Sequence, residues 1–324
     1  MKKSLAVLAL FGLGIAACAP AVASKPYPNG PISIVVPFAP GGATDTTARL
    51  LAKELARDTG YNFIVENKAG AGGGIAASYV ARARPDGQTL LFGTTSTNGI
   101  NTYIYPKLPY DAVKSFAPVG FVAENVVVLL GNASFPANNL TETVELLRKN
   151  PGKYAYASPG VGTVHNLAME LLKHSLGLDV RHIPYKGAGP AMVDLVSGTV
   201  PLMMGGIAPA LPFVKSGKIK VLGVANDRHF NDLPAGIQYF SDVAPKDAVS
   251  SWMGLLAPAG TPADRIEVLS AALKKALASK TLQQTLEQQG MHAAYMTPQQ
   301  FGTLITQGMS FWKSAAQVAG IENH

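Results

Sequence analysis

The chain has 324 residues, 48% of them hydrophobic and 15% charged, a balance that builds a large packed core and excludes a disordered protein. Lys and Arg number 27 against 20 Asp and Glu, for a net charge of +7. The excess is scattered and nowhere interleaved with aromatics, which excludes a nucleic-acid face and leaves a small anion as the better-matched partner.

The first segment, MKKSLAVLALFGLGIAACAPAVAS, places Lys2 and Lys3 before an apolar stretch and then small residues ending in Ala21-Val22-Ala23. This is the pattern of a secretory signal over residues 1–23, cleaved after Ala23, and it predicts an exported protein of the periplasm. The alternative in IAAC is a lipoprotein signal with Cys18 acylated. Cleavage after Ala23 removes Cys18, the only cysteine, and with it any disulfide or thiolate chemistry. No later segment reaches the roughly 20 apolar residues of a membrane span.

From residue 31 strands and helices alternate. PISIVVPF, NFIVEN and QTLLFGT read as strands, with helices over 44–58 and in GGIAASYVARA between them. A βαβαβ run predicts a parallel sheet with helices on both faces. The pattern restarts near residue 120 with the strand-like FVAENVVVLLGN, the helical NLTETVELLRKN, the strand KYAYAS, the helix TVHNLAMELLKHSLG and the strand DVRHIPY. A helix over 188–197 and strands in VPLMMGG and IKVLGVA complete a second sheet. From SSWMGLLAPAG onward the character is mostly helical. Thr261-Pro262-Ala263-Asp264 and Thr297-Pro298-Gln299-Gln300 each read as a cap followed by proline at the first helical position.

Two strand–loop–helix units look alike, VVPFAPGGATDTTARLL and YAYASPGVGTVHNLAMELL, each with proline, glycines and a threonine, Thr44 or Thr163, at the expected N-cap. Such loops lie at the carboxyl ends of parallel strands, where ligands bind. Unpaired NH groups and the helix dipole there favour an anion. Neither is a phosphate-binding GxxxxGK loop. ENKAGAGGGIAAS holds a weak dinucleotide pattern at Gly72, Gly74 and Ala77, but Asp86 falls before the next strand rather than at its end, so no cofactor is expected. GxSxG and HExxH are absent, and His165, His174 and His182 lack the spacing and acidic neighbours of a metal site. Asp45, in the first turn of the first helix, either stabilises the dipole or pairs with an ammonium or hydroxyl of a ligand.

Taken in series, VPFAPGGATD, ENKAGAGGG, PDGQTLLFGT, SPGVGTVHNLAMELL, IPYKGAGPAMVDLVSGTVPLMM and WMGLLAPAGTP resemble the Bug family, the extracytoplasmic receptors of tripartite tricarboxylate transporters. The resemblance implies a type II periplasmic binding protein fold of two α/β lobes with a ligand cleft between them. Lobe 1 would comprise 24–124 and 250–324, and lobe 2 would comprise 125–249. It implies a non-enzymatic, monomeric receptor for a small carboxylate (dicarboxylate, citrate-like or aromatic), working with membrane transporter subunits and needing no cofactor or metal. Carried over by position, the first lobe's contacts would be Phe38, Ala39, Gly41, Gly42, Thr44, Asp45, Thr95 and Ser96. The second lobe's would be Ser158, Gly160, Gly162, Thr163, His165, Tyr185, Lys186 and Gly187. One departure is LPAGIQYFSDVAPKDAVSSW over 233–252, where relatives carry a segment like LPDVPTFSE. An exported α/β enzyme using His165 or Lys186 as acid or base, and a ligand sensor, stand as alternatives.

Overall fold

Apolar residues of the first three strands alternate between two faces, and this dictates a sheet covered on both sides. The computed structural model describes residues 27–321 apart from 228, 231, 232, 234, 235 and 246, so the signal segment, its cleavage site and Cys18 lie outside the described residues. Strand β1 (Ile32–Val36), helix α1 (Ala43–Thr59), β2 (Phe63–Asn67), α2 (Gly74–Ala81) and β3 (Thr89–Thr94) form the expected parallel unit, with β1 between β2 and β3. Ile32, Ile34 and Val36 pack under α1, while Val35 faces α2, as a period of two requires. Burial of Leu51 and Leu55 from α1 contributes about 1.5–3 kcal/mol each.

A short helix α3 (Asn101–Ile104) precedes β4 (Phe116–Asn125), which continues through Val126 into β5 (Val127–Asn132). The run FVAENVVVLLGN is therefore two strands, one in each sheet, and the polar pair Glu124-Asn125 marks where the chain changes sheet. The second unit follows: α4 (Leu140–Lys149), β6 (Ala155–Ser158), α5 (Val164–Leu176), β7 (Arg181–Pro184), α6 (Ala188–Ser197), β8 (Leu202–Gly206), α7 (Leu211–Lys215) and β9 (Ile219–Val224). Val127 and Leu129 face one cluster and Val128 and Leu130 the other, so β5 is buried on both sides. After α8 (Phe240–Val243) the chain returns as β10 (Trp252–Pro258), α9 (Ala263–Leu277), α10 (Lys280–Glu287), β11 (Met291–Met296) and α11 (Pro298–Val318). The sheet orders are β11-β4-β10-β3-β1-β2 and β7-β6-β8-β5-β9.

The segment after residue 250 is mostly helical, as expected, and also holds two strands: β10 sits centrally in the first sheet, pairing antiparallel with β3 and β4, and β11 adds an edge; two other expectations are corrected. Every residue of β10 is buried, so it carries no alternation to distinguish it from a buried helix. Helix α1 is capped by Gly42 and not by Thr44, which is already inside the helix. Helix α9 starts after Pro262, and the Thr261 hydroxyl donates to the carbonyl of Pro258 at 2.8 Å instead of capping. Thr297 does form the expected capping box with Gln300.

Two strand crossings join the sheets. At the first, Asn125 N donates to Ser251 O at 2.7 Å. Buried Asn226 bridges the same point, its Nδ2 donating to Asn125 O at 3.0 Å and its Oδ1 accepting from Val127 N at 2.7 Å. Helix α11 is a third link: Phe301 and Ile305 lie in a core of the first sheet, whereas Trp312, Ala315 and Ala316 pack with α5. The packing is thus not a clean partition by chain position. No described helix is long and apolar enough to cross a membrane.

Candidate functional site

The carboxyl ends of β1 and β6 face one another, and each feeds a glycine loop into a helix. On the first side Gly42, at the N-cap of α1, has no side chain to accept from the helix NH groups. The loop is held from behind by Asp45. Its carboxylate accepts from Gly41 N at 3.1 Å and Asn67 Nδ2 at 2.8 Å and pairs with Arg49 at 3.0 Å. The same Asn67 amide donates to Phe38 O at 2.9 Å. Burial raises the Asp45 pKa, but the hydrogen bonds from Arg49, Asn67 and Gly41 outweigh it and leave it below the usual carboxylate value.

On the second side the NH groups are largely taken. Thr163 caps α5 by accepting from Asn166 N at 3.2 Å, and Gly162 N donates to Asn166 Oδ1 at 3.3 Å. Val164 N donates to Ser96 Oγ at 3.0 Å, so a hydroxyl following β3 finishes a helix that belongs to the other sheet. Beneath this loop Asn166 Nδ2 lies 3.4 Å from His182 Nδ1, and His182 Nε2 lies 2.7 Å from Ser158 Oγ. The amide is a donor, so Nδ1 accepts and the proton is assigned to Nε2, which donates to Ser158. Ser158 Oγ in turn accepts from Gly160 N at 3.1 Å. Burial lowers the His182 pKa to about 4.

The lobes meet across this cleft. Ala39 N donates to Lys186 O at 3.2 Å and the Tyr105 hydroxyl to Val161 O at 2.9 Å. Between them lie two spaces sharing Phe38 and Pro159. The inner one is about 20 Å³, bounded also by Gly42, Ala43, Thr44, Asn125, His165, Ala188 and Gly206. The outer one is about 290 Å³, bounded by Gly70 to Gly73, Tyr105, Gly160 and the segment Tyr185-Lys186. His165 is neutral, since burial lowers its pKa to about 4, and neither of its buried ring nitrogens has a partner among the described residues.

Of the residues nominated from the sequence, Phe38, Gly42, Thr44 and His165 line the inner space, and Phe38, Gly160, Tyr185 and Lys186 the outer. The others stand one step back. Ala39 and Gly187 touch each other across the cleft, where a Cβ on Gly187 would lie 2.7 Å from Ala39 N. Gly41, Asp45, Ser158, Gly162 and Thr163 shape the loops, Ser96 reaches α5, and Thr95 Oγ1 accepts from Trp252 N at 3.0 Å at the start of β10. Sequence reasoning missed Ala43, Asn125, Pro159, Ala188 and Gly206 in the inner space, and Gly70 to Gly73 with Tyr105 in the outer. Asn125 had a signal, a polar residue interrupting a long apolar strand run. Tyr105 and Gly206 had none.

A model of the family described as tripartite tricarboxylate transporter family receptor matches residues 47–321. Protein BugT of Bordetella pertussis is 31% identical over 321 residues, 99% of this chain and 98% of that one. Among solved structures, an R. palustris protein with adipate superposes with a TM-score of 0.88 at 29% identity, covering 92% of this chain and all of that one. MatC from Rhodopseudomonas palustris with bound malate superposes at 0.83 and 34% identity, covering 89% of this chain and 99% of that one. The chain therefore belongs to the tripartite tricarboxylate transporter receptor family and carries the two-lobed α/β fold of the periplasmic solute-binding proteins.

Proposed function

We propose that this protein captures a small carboxylate between its lobes in the periplasm, hands it to membrane subunits of a tripartite tricarboxylate-type transporter as a monomer, and does no chemistry on it. The observation that carries this reading is the N-terminus of the 17-residue helix α1, uncapped by any side chain and opening into a buried space between the lobes. Hydrogen bonds to a charged group contribute about 1.5–3 kcal/mol each, so a few NH and OH donors suffice for micromolar binding without an arginine. The adipate and malate held by the two structural relatives are ligands of this class. We take the lobes as 24–124 with 250–324, and 125–249, with α11 bridging them, and the exported location as following from the signal pattern.

Ser158 and His182, 2.7 Å apart, have the spacing of a nucleophile and its base, the one observation that favours an enzyme. Against it, Ser158 is fully buried under its own loop and the far ring nitrogen of His182 faces an amide, not a carboxylate. The test is thermal denaturation against a panel of mono-, di- and tricarboxylates with product analysis by mass spectrometry. At a hundred times Kd a bound acid contributes about 2.7 kcal/mol and raises the midpoint, with the acid recovered unchanged. No stabilisation by any acid, or turnover of one, overturns the reading.

A further inference from the structure

We infer that the ligand carries a hydroxyl group as well as its carboxylate, and that Asn125 is the residue that reads it. This rests on the carboxylate-receptor reading above. Asn125 is 1% exposed, its side chain bounds the inner space, and its Oδ1 has no hydrogen-bond partner among the described residues. The two ring nitrogens of His165, which also lines the space, are equally unpartnered among the described residues.

Counting donors and acceptors identifies what is missing. A carboxylate offers only acceptors, which the NH groups at the start of α1 match. It would leave Asn125 Oδ1 and the unprotonated nitrogen of His165, both acceptors, buried and unpaired. A neutral imidazole keeps one acceptor in either tautomer, and in the assigned orientation of the Asn125 amide Oδ1 is the unpartnered atom and adds a second. A hydroxyl can donate to Asn125 Oδ1 and accept from the protonated ring nitrogen of His165, leaving the other ring nitrogen as the one unpaired acceptor. An ammonium would also donate, but among the described residues lining the space none is acidic. Asp45, next to Thr44 in α1, is already held by Arg49, Asn67 and Gly41. A buried cation without a counter-charge is costly, which disfavours an amino acid.

The space of about 20 Å³ is close to the minimum that admits one water-sized group. The Asn125 backbone is bonded on both sides of the first crossing, to Ser251 and Asn226, which fixes where its side chain starts. Gly206 leaves the room it occupies, since a Cβ there would lie 2.8 and 2.9 Å from the two amide atoms. A polar group fixed this way discriminates strongly between ligands with and without the matching hydroxyl.

The experiment is isothermal titration calorimetry of the mature protein with matched pairs: succinate and malate, tricarballylate and citrate, phenylacetate and mandelate, with aspartate as the amine control. The hydroxylated member of the pair that binds is expected to be tighter by roughly ten-fold or more. Asn125→Ala brings that ratio toward one. Should that variant fail to fold, Asn125→Ser replaces it, and the wild-type ratio decides by itself. Equal affinities within every binding pair mean that the space holds an ordered water, and overturn the inference while leaving carboxylate capture intact. Tighter aspartate than malate, or a ratio unchanged in Asn125→Ala, also overturns it. Failure of every acid to bind removes the receptor reading and this inference together.

Discussion

His165 and His182 bind protons more weakly in the folded chain than a histidine in water, because burial disfavours the imidazolium and pushes each pKa down to about 4 from the usual 6.5. The sign of the consequence follows from proton counting. Below about pH 6.5 the unfolded chain takes up protons that the folded chain refuses, so stability is lost as pH falls from there toward 4 and the loss levels off below. The urea midpoint should therefore decline through this window, and His165→Gln should flatten the decline by removing one of the two groups. A midpoint constant between pH 7 and pH 4 contradicts it. At this scale the sequence was informative about residue type and less so about partners. That His165 faces the cleft could be read from its place in the first turn after a glycine loop. That Asp45 spends its carboxylate on Arg49 and Asn67 could not, because Asn67 lies 22 residues away at the end of another strand.

Helices and strands were legible wherever one face alone is buried. The first βαβαβ unit and the helix over 188–197 could be written down from periodicity, and α6 occupies those residues. Strand β10 escaped because it is buried on both faces, and Asn125 was passed over because β4 and β5 read as one continuous strand. The loops are the elements that meet. Gly187 at the start of α6 packs on Ala39, with φ of 153° and no room for a side chain. Gly187→Ala should leave the far-UV spectrum intact while lowering affinity for whichever acid binds by roughly ten-fold or more, equivalent to about 1.4 kcal/mol. Unchanged affinity in that variant would show that these two loops stay apart in the bound form.

For the whole molecule, the two-sheet division could be expected from the restart of the pattern near residue 120, but the links between the sheets could not. Asn226 spans the first crossing by imitating a strand partner with its side chain, a role no composition or periodicity announces. Trp312, Ala315 and Ala316 sit on the far half of an amphipathic helix whose near half packs on the other core, and amphipathicity alone does not say that its two ends serve different cores. Closing about these links brings together groups more than 60 residues apart in the chain, the pair Ser96 and Val164 among them.

That pair has a kinetic meaning. If opening of the lobes parts Ser96 from α5, release of a solute costs the helix a hydrogen bond worth about 1 kcal/mol that entry does not. Ser96→Ala should accordingly shorten the dwell time of the captured acid about five-fold and leave its association rate unaltered, as stopped-flow mixing would register. If the variant instead slows capture, the serine acts before the lobes shut. Exchange with the transporter would then be timed by one hydroxyl rather than by the strength of the grip on the solute.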